Sequence, residues 1–410
     1  MSNTNAPAAS ANPGKSELPG RRWFYGLGIL IVIATMALVV VTLARREPAY
    51  QGRAVAAWSV DLSHPDAKVR AQAEDALRAM GPTAMRSLTA ALRRQDFPGK
   101  PMLANFASKL PRPFKNFIFR IFKTADATAT RISAAQALAA LGPGAESAAP
   151  ALARALNDVN PTVCMRSAEA LASIGKPAVP ALCTTLRSGG FEARSLAAYA
   201  LGIIGPDAEA AIPALVEALK HGPTHDARPA AQALGKIGAA AQPALLALLK
   251  TNDAPLRLLG AFALGLMETG AAEAVPPLIE ALGDGDREVR RQAVASLLRI
   301  KPGDRRVIAG LIQRLDDSDE QVRIASLKAL AQVGSAAKLA APKLETALAD
   351  PSASVRLHAT ILAARLGPEA KPALAALRAA LKDQDLTVRA NAAAAIGNIE
   401  PNAPLSIEGL

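Results

Sequence analysis

Five arginines, Arg257, Arg290, Arg323, Arg356 and Arg389, stand 33 residues apart, and Asp284, Asp317, Asp350 and Asp383 keep the same step, each six residues ahead of an arginine. A fixed period of roughly 20 to 50 residues marks one supersecondary unit copied along the chain, each copy too small to bury its apolar face except against its neighbours. The period therefore predicts a stack of repeats, a solenoid, with no single central core. Length alone, 410 residues, would suggest two or three domains. The period overrides that expectation in favour of one elongated domain over 47–400.

The copy at 317–348, DSDEQVRIASLKALAQVGSAAKLAAPKLETAL, shows what is repeated. Val322, Ala325, Ala329, Leu330 and Val333 recur at helical spacing. They predict an amphipathic helix over 320–332, capped by Asp317 or Asp319 and ended by Gly334. A second helix is expected near Ala337–Leu348, with Leu344 and Leu348 four apart and Pro342 near its start. Upstream, Gly142, Gly175, Gly205 and Gly238 close first helices. Pro150, Pro180, Pro213, Pro243, Pro276 and Pro372 fall early in second ones, where the amide a proline lacks would be unpaired anyway. No strand pattern is visible. Val55–Leu62 reads as a lone second helix and Leu386–Ile399 as a lone first helix, so about nine pairs plus capping helices are expected. At roughly 10 Å per layer the stack would be on the order of 100 Å long.

A helix pair of about 33 residues with Asp and Val-Arg near the start of its first helix resembles the HEAT repeats, particularly the short HEAT-like repeats of the phycobilisome lyase type. The resemblance covers roughly 54–400. It is carried by PDAKVRAQAEDALRAMG, GDREVRRQAVASLLRI, SDEQVRIASLKALAQVG, PSASVRLHATILAARLG and DQDLTVRANAAAAIGNI. It implies an all-α, right-handed α-α superhelix of the HEAT/armadillo type. It also implies that the repeated Asp and Arg are structural, bonding neighbouring copies as a ladder. The pattern has departures. Cys164 stands where the arginine should be, eleven residues before Gly175, and the copy around Arg228 is one residue short, so the ladder is expected to be interrupted there. Such repeats serve many unrelated tasks, and the fold alone does not supply a function.

The second informative segment is Trp23–Ala44, WFYGLGILIVIATMALVVVTLA, in which no residue is charged. At ~1.5 Å per residue it is about 33 Å long, enough to cross a bilayer core of roughly 30 Å. Arg21–Arg22 and Arg45–Arg46 bracket it, and Trp23 and Tyr25 suit an interface. Thr42-Leu43-Ala44 resembles a cleavage site, but the apolar run exceeds the ~7–15 residues usual in signal peptides, which favours an uncleaved signal anchor over 21–46. Lys15, Arg21 and Arg22 before the span balance Arg45, Arg46 and Arg53 after it. A short tail before a first apolar segment normally keeps its N-terminus in the cytoplasm, which places the repeats outside, in a periplasmic or extracellular space. Residues 1–20, rich in Ala, Asn, Pro and Ser, read as a disordered tail, and 401–410 as a C-terminal tail.

The net charge of +12 suggests nucleic acid until it is mapped. Residues 124–410 carry 29 basic and 28 acidic side chains, a difference of +1. Residues 93–123 hold eight basic side chains against Asp96 alone, and six of the nine phenylalanines. Arg70 and Arg131 are 61 apart, so this basic, aromatic insertion at 97–123 breaks the period. Over Phe114–Lys123, Phe114, Phe117, Ile118, Ile121 and Phe122 line one helical face. Such a helix suits a membrane interface or a partner, with Lys115, Phe117, Phe119, Arg120 and Lys123 as the contacts. The same segment also reads as a degenerate repeat whose phenylalanines fill the neighbouring core.

Catalytic signatures are missing from the pattern. HEAT-type di-iron enzymes need His-Glu pairs, whereas His64, His221, His225 and His358 each precede Pro, Gly, Asp or Ala. There is no CxxC pair, phosphate loop or GxSxG elbow. HEAT-like DNA glycosylases use a basic groove with aromatic side chains, and Trp58 is the one tryptophan outside the span. Cys183 occupies a position held by Val216, Leu246 or Ile279 in other copies, which predicts a buried free thiol. The expectation is a membrane-anchored scaffold for a protein partner, without cofactor, metal or catalysis. A bilin-lyase-type enzyme or chaperone, and nucleic-acid binding through the insertion, are the alternatives.

Overall fold

The computed structural model describes residues 49–62, 64–95, 127–221, 224–268 and 270–401, together with Ile33. The tail at 1–20, the span at 23–44 apart from Ile33, the insertion at 97–123 with Lys115, Phe117, Phe119, Arg120 and Lys123, and residues 402–410 lie outside the described residues. The chain divides into two units, one of 1–55 with 96–126 and the other of 56–95 with 127–410.

Within the first unit Ala49–Tyr50 pairs antiparallel with Arg53–Ala54. This small hairpin corrects the expectation of no strand. Gln51 and Gly52 both have positive φ, 50° and 76°. That is the backbone of a two-residue hairpin turn whose twist matches the strands, and two-residue strands are too short to leave an alternating pattern in the sequence.

The remaining described elements are helical. A lone helix α1 (Val55–Asp61) is followed by nine pairs among the described residues. They are α2 (Ala67–Met80) with α3 (Pro82–Leu92), α4 (Ala127–Leu141) with α5 (Ala149–Ala155), and α6 (Pro161–Ile174) with α7 (Val179–Ser188). Next come α8 (Phe191–Ile204) with α9 (Ile212–His221), α10 (Thr224–Ile237) with α11 (Gln242–Leu249), and α12 (Ala254–Leu264) with α13 (Val275–Ala281). Then follow α14 (Arg287–Ile300) with α15 (Arg305–Gln313), α16 (Glu320–Val333) with α17 (Leu344–Leu348), and α18 (Ala353–Leu366) with α19 (Leu374–Ala380). A lone first helix, α20 (Leu386–Ile399), closes the series. First helices pack on the first helices of neighbouring copies and on the second helix of the copy before them, giving an all-α superhelical solenoid.

Local chemistry sets these boundaries. Several first helices open on a polar cap whose side chain accepts orphan amides: Asn160 from Thr162 and Val163, Asp286 from Glu288 and Val289, Asp319 from Gln321 and Val322. Asp319, one of two candidates in its copy, is therefore the cap of α16, which leaves Asp317 for another task. The second helix of that copy differs from its expectation. Gly334–Lys343 winds as a 3-10 helix, and only Leu344–Leu348 is α-helical. Pro342 lies inside the 3-10 stretch, where a ring without an amide cannot hold an α-helical bond.

The core is built from small residues where first helices meet and from leucine between the layers. Ala168, Ala197, Ala231 and Ala293 are fully buried on first helices, and Leu182, Leu215, Leu245 and Leu278 on second ones. Each buried leucine contributes roughly 1.5–3 kcal/mol. Phe191–Lys220 is long and apolar enough by composition to cross a membrane, with mean hydropathy 1.2. It is folded, however, as α8, a 3-10 turn over Gly205–Ala211 and α9, with Leu201, Leu215 and Leu219 buried in the stack. That segment is one repeat of the solenoid.

Candidate functional site

Each ladder arginine is the fourth residue of its first helix, so its side chain reaches back over the loop toward the next copy. Arg257 grips Asp284 through Nε and Nη2 at 2.7 and 2.9 Å, and Arg290 grips Asp317 at 2.9 and 2.7 Å. Arg323 holds Asp350 at 2.8 and 3.0 Å, and Arg356 holds Asp383 at 2.6 and 2.9 Å. All four are two-pronged, charge-assisted contacts between a copy and its successor, 27 residues apart. The third nitrogen stays within the copy. Nη1 donates to the Asp284 carbonyl from Arg290, to Asp317 from Arg323, to Asp350 from Arg356 and to Asp383 from Arg389. Every aspartate in the middle of the row thus serves two arginines, one through its carbonyl and one through its carboxylate. Arg389 closes the row on the carbonyls of Asp383 and Gln384.

The carboxylates also order their own loops. Asp284, Asp317, Asp350 and Asp383 each accept the amide two residues on, at 2.8, 3.0, 2.9 and 2.8 Å. Burial works against ionising Asp284 and Asp317, but the arginine fork and the amide outweigh it and hold both carboxyls below the usual range. For Asp383 the Arg356 fork is the largest influence and acts in the same direction. A group whose folded pKa is depressed contributes its stability in full above its unfolded value, about 3.9 for aspartate, and loses it as pH falls through the folded value. Circular-dichroism melts should therefore change little between pH 7 and 5 on account of the ladder and drop steeply below about pH 4. A drop centred above pH 5 would assign acid sensitivity to other groups.

The described residues contain one more rung. Arg131 on α4 has Nε 2.8 Å from Asp158 Oδ2, Nη2 donating to Oδ1 at 3.1 Å and Nη1 donating to the Arg94 carbonyl at 2.8 Å. Its signal was present in the sequence as the same 27-residue step, although the 61-residue gap to Arg70 concealed it. At Cys164 the row is altered. The thiol donates to the Asp158 carbonyl at 3.1 Å, taking the bond an arginine would make within its own copy. In α10 the fourth residue is buried Ala227, and Arg228 instead stacks on the Phe262 ring at 4.8 Å. Cys164 and Cys183 are both buried free thiols, and burial is the main cause of their raised pKa values. Among the described residues no group of three or more His, Cys, Asp or Glu is arranged to hold a metal ion.

Using the aspartates in the ladder and as caps sorts charge across the surface. The acids on first helices α14 and α16, Glu288 and Glu320, lie in the first turn, where the helix dipole favours them. Farther along the outward faces of α10, α14, α16 and α18 stand Arg228, Lys236, Arg299, Lys328 and Arg365, all exposed. Between them stand Leu258 and Phe262 of α12 and Leu266 just beyond its end, all half-buried. Arg228, Pro255, Leu258, Leu259, Phe262, Glu288, Arg291 and Gln292 line a concavity of about 200 Å³ there, in which Glu288 is paired with Arg291. On this face exposed cations therefore stand around a cleft that is apolar on the α12 side and holds the Glu288–Arg291 pair on the α14 side.

Helix pairs in register, joined copy to copy by a buried Arg–Asp ladder, define a helical-repeat solenoid. The family model of HEAT repeats matches residues 116–190, 157–235, 242–331 and 275–364, and the chain belongs to that family. No curated protein matches it. Among solved structures it is similar to an engineered protein at 21% identity and TM-score 0.37, covering 84% of this chain and 98% of that one. It is also similar to a Kap121p mutant at 14% identity and TM-score 0.48, covering 84% and 48%. A third similarity is to importin beta at 16% identity and TM-score 0.44, covering 84% and 50%. The chain spans about half the length of the Kap121p and importin beta structures, and these similarities concern the fold alone.

Proposed function

We propose that the protein is a single-pass, membrane-anchored scaffold whose HEAT stack holds a protein partner and which has no catalytic activity of its own. The observation that carries this reading is the division of labour among its ionisable groups. Carboxylates and arginines that are buried serve the ladder, while the outward face of the first helices keeps cations and an apolar cleft open to solvent. The ladder is the structural element in this reading, and the face is the functional one. Anchoring is supported by the uncharged run Trp23–Ala44 between its arginine pairs. The insertion adds a second contact, to lipid or partner, through Lys115, Phe117, Phe119, Arg120 and Lys123.

The protein is expected to remain in membranes after alkaline carbonate washing, to retain an N-terminal tag, and to lose its repeats to protease added outside spheroplasts. A soluble product beginning near Arg45 would mean that the segment is a cleaved signal, and full protection would reverse the orientation. Proximity labelling in native membranes should return a reproducible set of protein neighbours. Labelling no richer than that of an anchored, unrelated control would remove the scaffold reading.

A further inference from the structure

We propose that the open face of α20, at the end of the described stack, receives a helix of a protein partner that carries an aspartate just ahead of its first turn and a small residue farther along it. The proposal rests on the scaffold reading and adds where, and by what chemistry, a partner attaches. Arg389 Nη1 is seated on the carbonyls of Asp383 and Gln384 at 2.7 and 3.3 Å, as Arg356 Nη1 is on those of Asp350 and Pro351 at 2.9 and 3.1 Å. That seating aims Nε and Nη2 at the following copy, where in Arg257, Arg290, Arg323 and Arg356 both nitrogens hold an aspartate. No helix follows α20 among the described residues, and Nε and Nη2 of Arg389 have no carboxylate there. Arg389 thus differs from the solvent-facing cations of the stack, because its fork is held in the orientation that takes a carboxylate in four other copies. Arg70 and Arg194 are also seated through Nη1, but α4 and α10 already occupy the next place beside them.

A second device lies on the same face. Gly202, Gly235 and Gly265 hold one position in α8, α10 and α12, and a Cβ on them would lie 3.3 Å from Ala233 Cα, 2.7 Å from the Ala263 carbonyl oxygen and 2.8 Å from Ser296 Cα of the next first helix. Glycine there lets consecutive backbones approach closely. Gly397 holds the same position in α20, and a Cβ on it would meet nothing within 4 Å. Between fork and notch, the position occupied by Ala231, Ala261, Val294, Leu327 and Thr360 is at most 1% exposed in other copies, whereas Ala393 of α20 is only half-buried. A terminal repeat that serves as a cap has a polar outer face. Here the face beside Arg389 is Ala393 and Gly397, a bonding surface of the stack left uncovered. The junction of α12 and α14 shows what fits it, since Arg257 grips Asp284 at 2.7 and 2.9 Å and Gly265 lies against Ser296. Asp284 stands three residues ahead of α14 and twelve ahead of Ser296, which sets the spacing in the occupant. Arg389 and Gly397 are two turns apart, about 12 Å. A free phosphate or a lipid headgroup would fill the fork and leave the notch empty. A second copy of this chain offers His64 where the aspartate is needed, six residues ahead of Arg70, and residues 402–410 contain no aspartate. Those sources lack the carboxylate that a partner's helix would supply.

The test titrates the full chain in detergent into a fluorescein-labelled, side-chain-stapled peptide of the sequence from Asp284 to Ile300, read by fluorescence anisotropy. Arg389→Lys, which keeps the charge and loses the fork, is expected to weaken binding at least tenfold. Gly397→Leu should weaken it at least threefold with an unchanged melting curve, since its side chain enters open space. A peptide with asparagine in place of its first aspartate should lose at least tenfold against wild type and little more against Arg389→Lys, the non-additivity of a direct pair. If Arg389→Lys melts early, Gly397→Leu and the asparagine peptide are read instead. A wild type that does not bind the peptide, or binds both peptides alike, overturns the proposal, and so does binding unaffected by Gly397→Leu. A concentration-dependent dimer in sedimentation velocity, lost in Gly397→Leu, would assign the face to a second copy and also overturn it. Proximity labelling separates this site from the scaffold reading. Neighbours kept in full by Gly397→Leu would retain the scaffold and remove this site, whereas an absence of neighbours in wild type would remove both.

Discussion

Replacing Arg290 with alanine is expected to cost the stack about 3–5 kcal/mol, the range for breaking one side of a buried ion pair. Arg290 and Asp317 are the most enclosed rung, with side chains 10% and 2% exposed. The alanine would leave the Asp317 carboxylate without its two-pronged partner, with the Asp319 amide at 3.0 Å and Arg314 at 3.4 Å as its remaining donors. It would also free the Asp284 carbonyl that Arg290 Nη1 holds at 2.9 Å, so the damage reaches its own copy as well as the next one. Because a solenoid is coupled only through nearest neighbours, urea unfolding followed by circular dichroism should broaden as well as shift to lower denaturant. The double variant Arg290→Met/Asp317→Leu, which removes both charges, should recover part of the loss. An unchanged curve for Arg290→Ala, accompanied by lost partner labelling, would make the row a binding feature instead. Arg323→Ala should act in the same direction and more weakly, since that pair is 14% and 10% exposed.

Gly265→Val should destabilise the centre of the stack by about 1–3 kcal/mol or more through overpacking. A Cβ at Gly265 would lie 2.3 Å from Ser296 Oγ and 2.8 Å from Ser296 Cα, so a rotamer change alone cannot relieve the clash. Ser296 Oγ also donates to the Ala261 carbonyl at 2.8 Å across the junction of α12 and α14. Pushing the helices apart would break that bond inside the core and leave its groups unpaired. Gly303, whose Cβ would meet nothing within 4 Å, provides the control and should tolerate alanine with little change. Differential scanning calorimetry would compare the two, and equal melting temperatures would show that the first helices are not in the close contact described here.

Much of this was legible in the residues before any coordinates. A period of 33 made a solenoid the only economical reading, and Gly334 and the early prolines marked helix ends through backbone constraints that act locally. Repetition also announced that Arg and Asp of the ladder share a task. Other features depended on distance in space. Two aspartates, Asp317 and Asp319, were equally good caps by sequence, and only the packing of α14 against α16 assigned Asp319 to the helix and Asp317 to Arg290. Asp317 also shows why the ladder's register was hidden: it precedes its own arginine by six residues, yet its carboxylate is bonded to the arginine 27 residues before it.

The distribution of charge over the surface was hidden for a related reason. A count of 29 cations against 28 acids cannot say which acids are consumed inside, and the answer depends on which carboxylates face arginines across a copy boundary. Likewise nothing in the run around Gly265 distinguishes it from Gly303, because the difference is the approach of Ser296 from the next repeat. Local periodicity and backbone chemistry were enough to determine the repeat, its helices and their ends. Pairing between copies, charge left over for the surface and the tolerance of each glycine are properties of contacts between segments about 30 residues apart. Those were decided only when the stack brought the segments together.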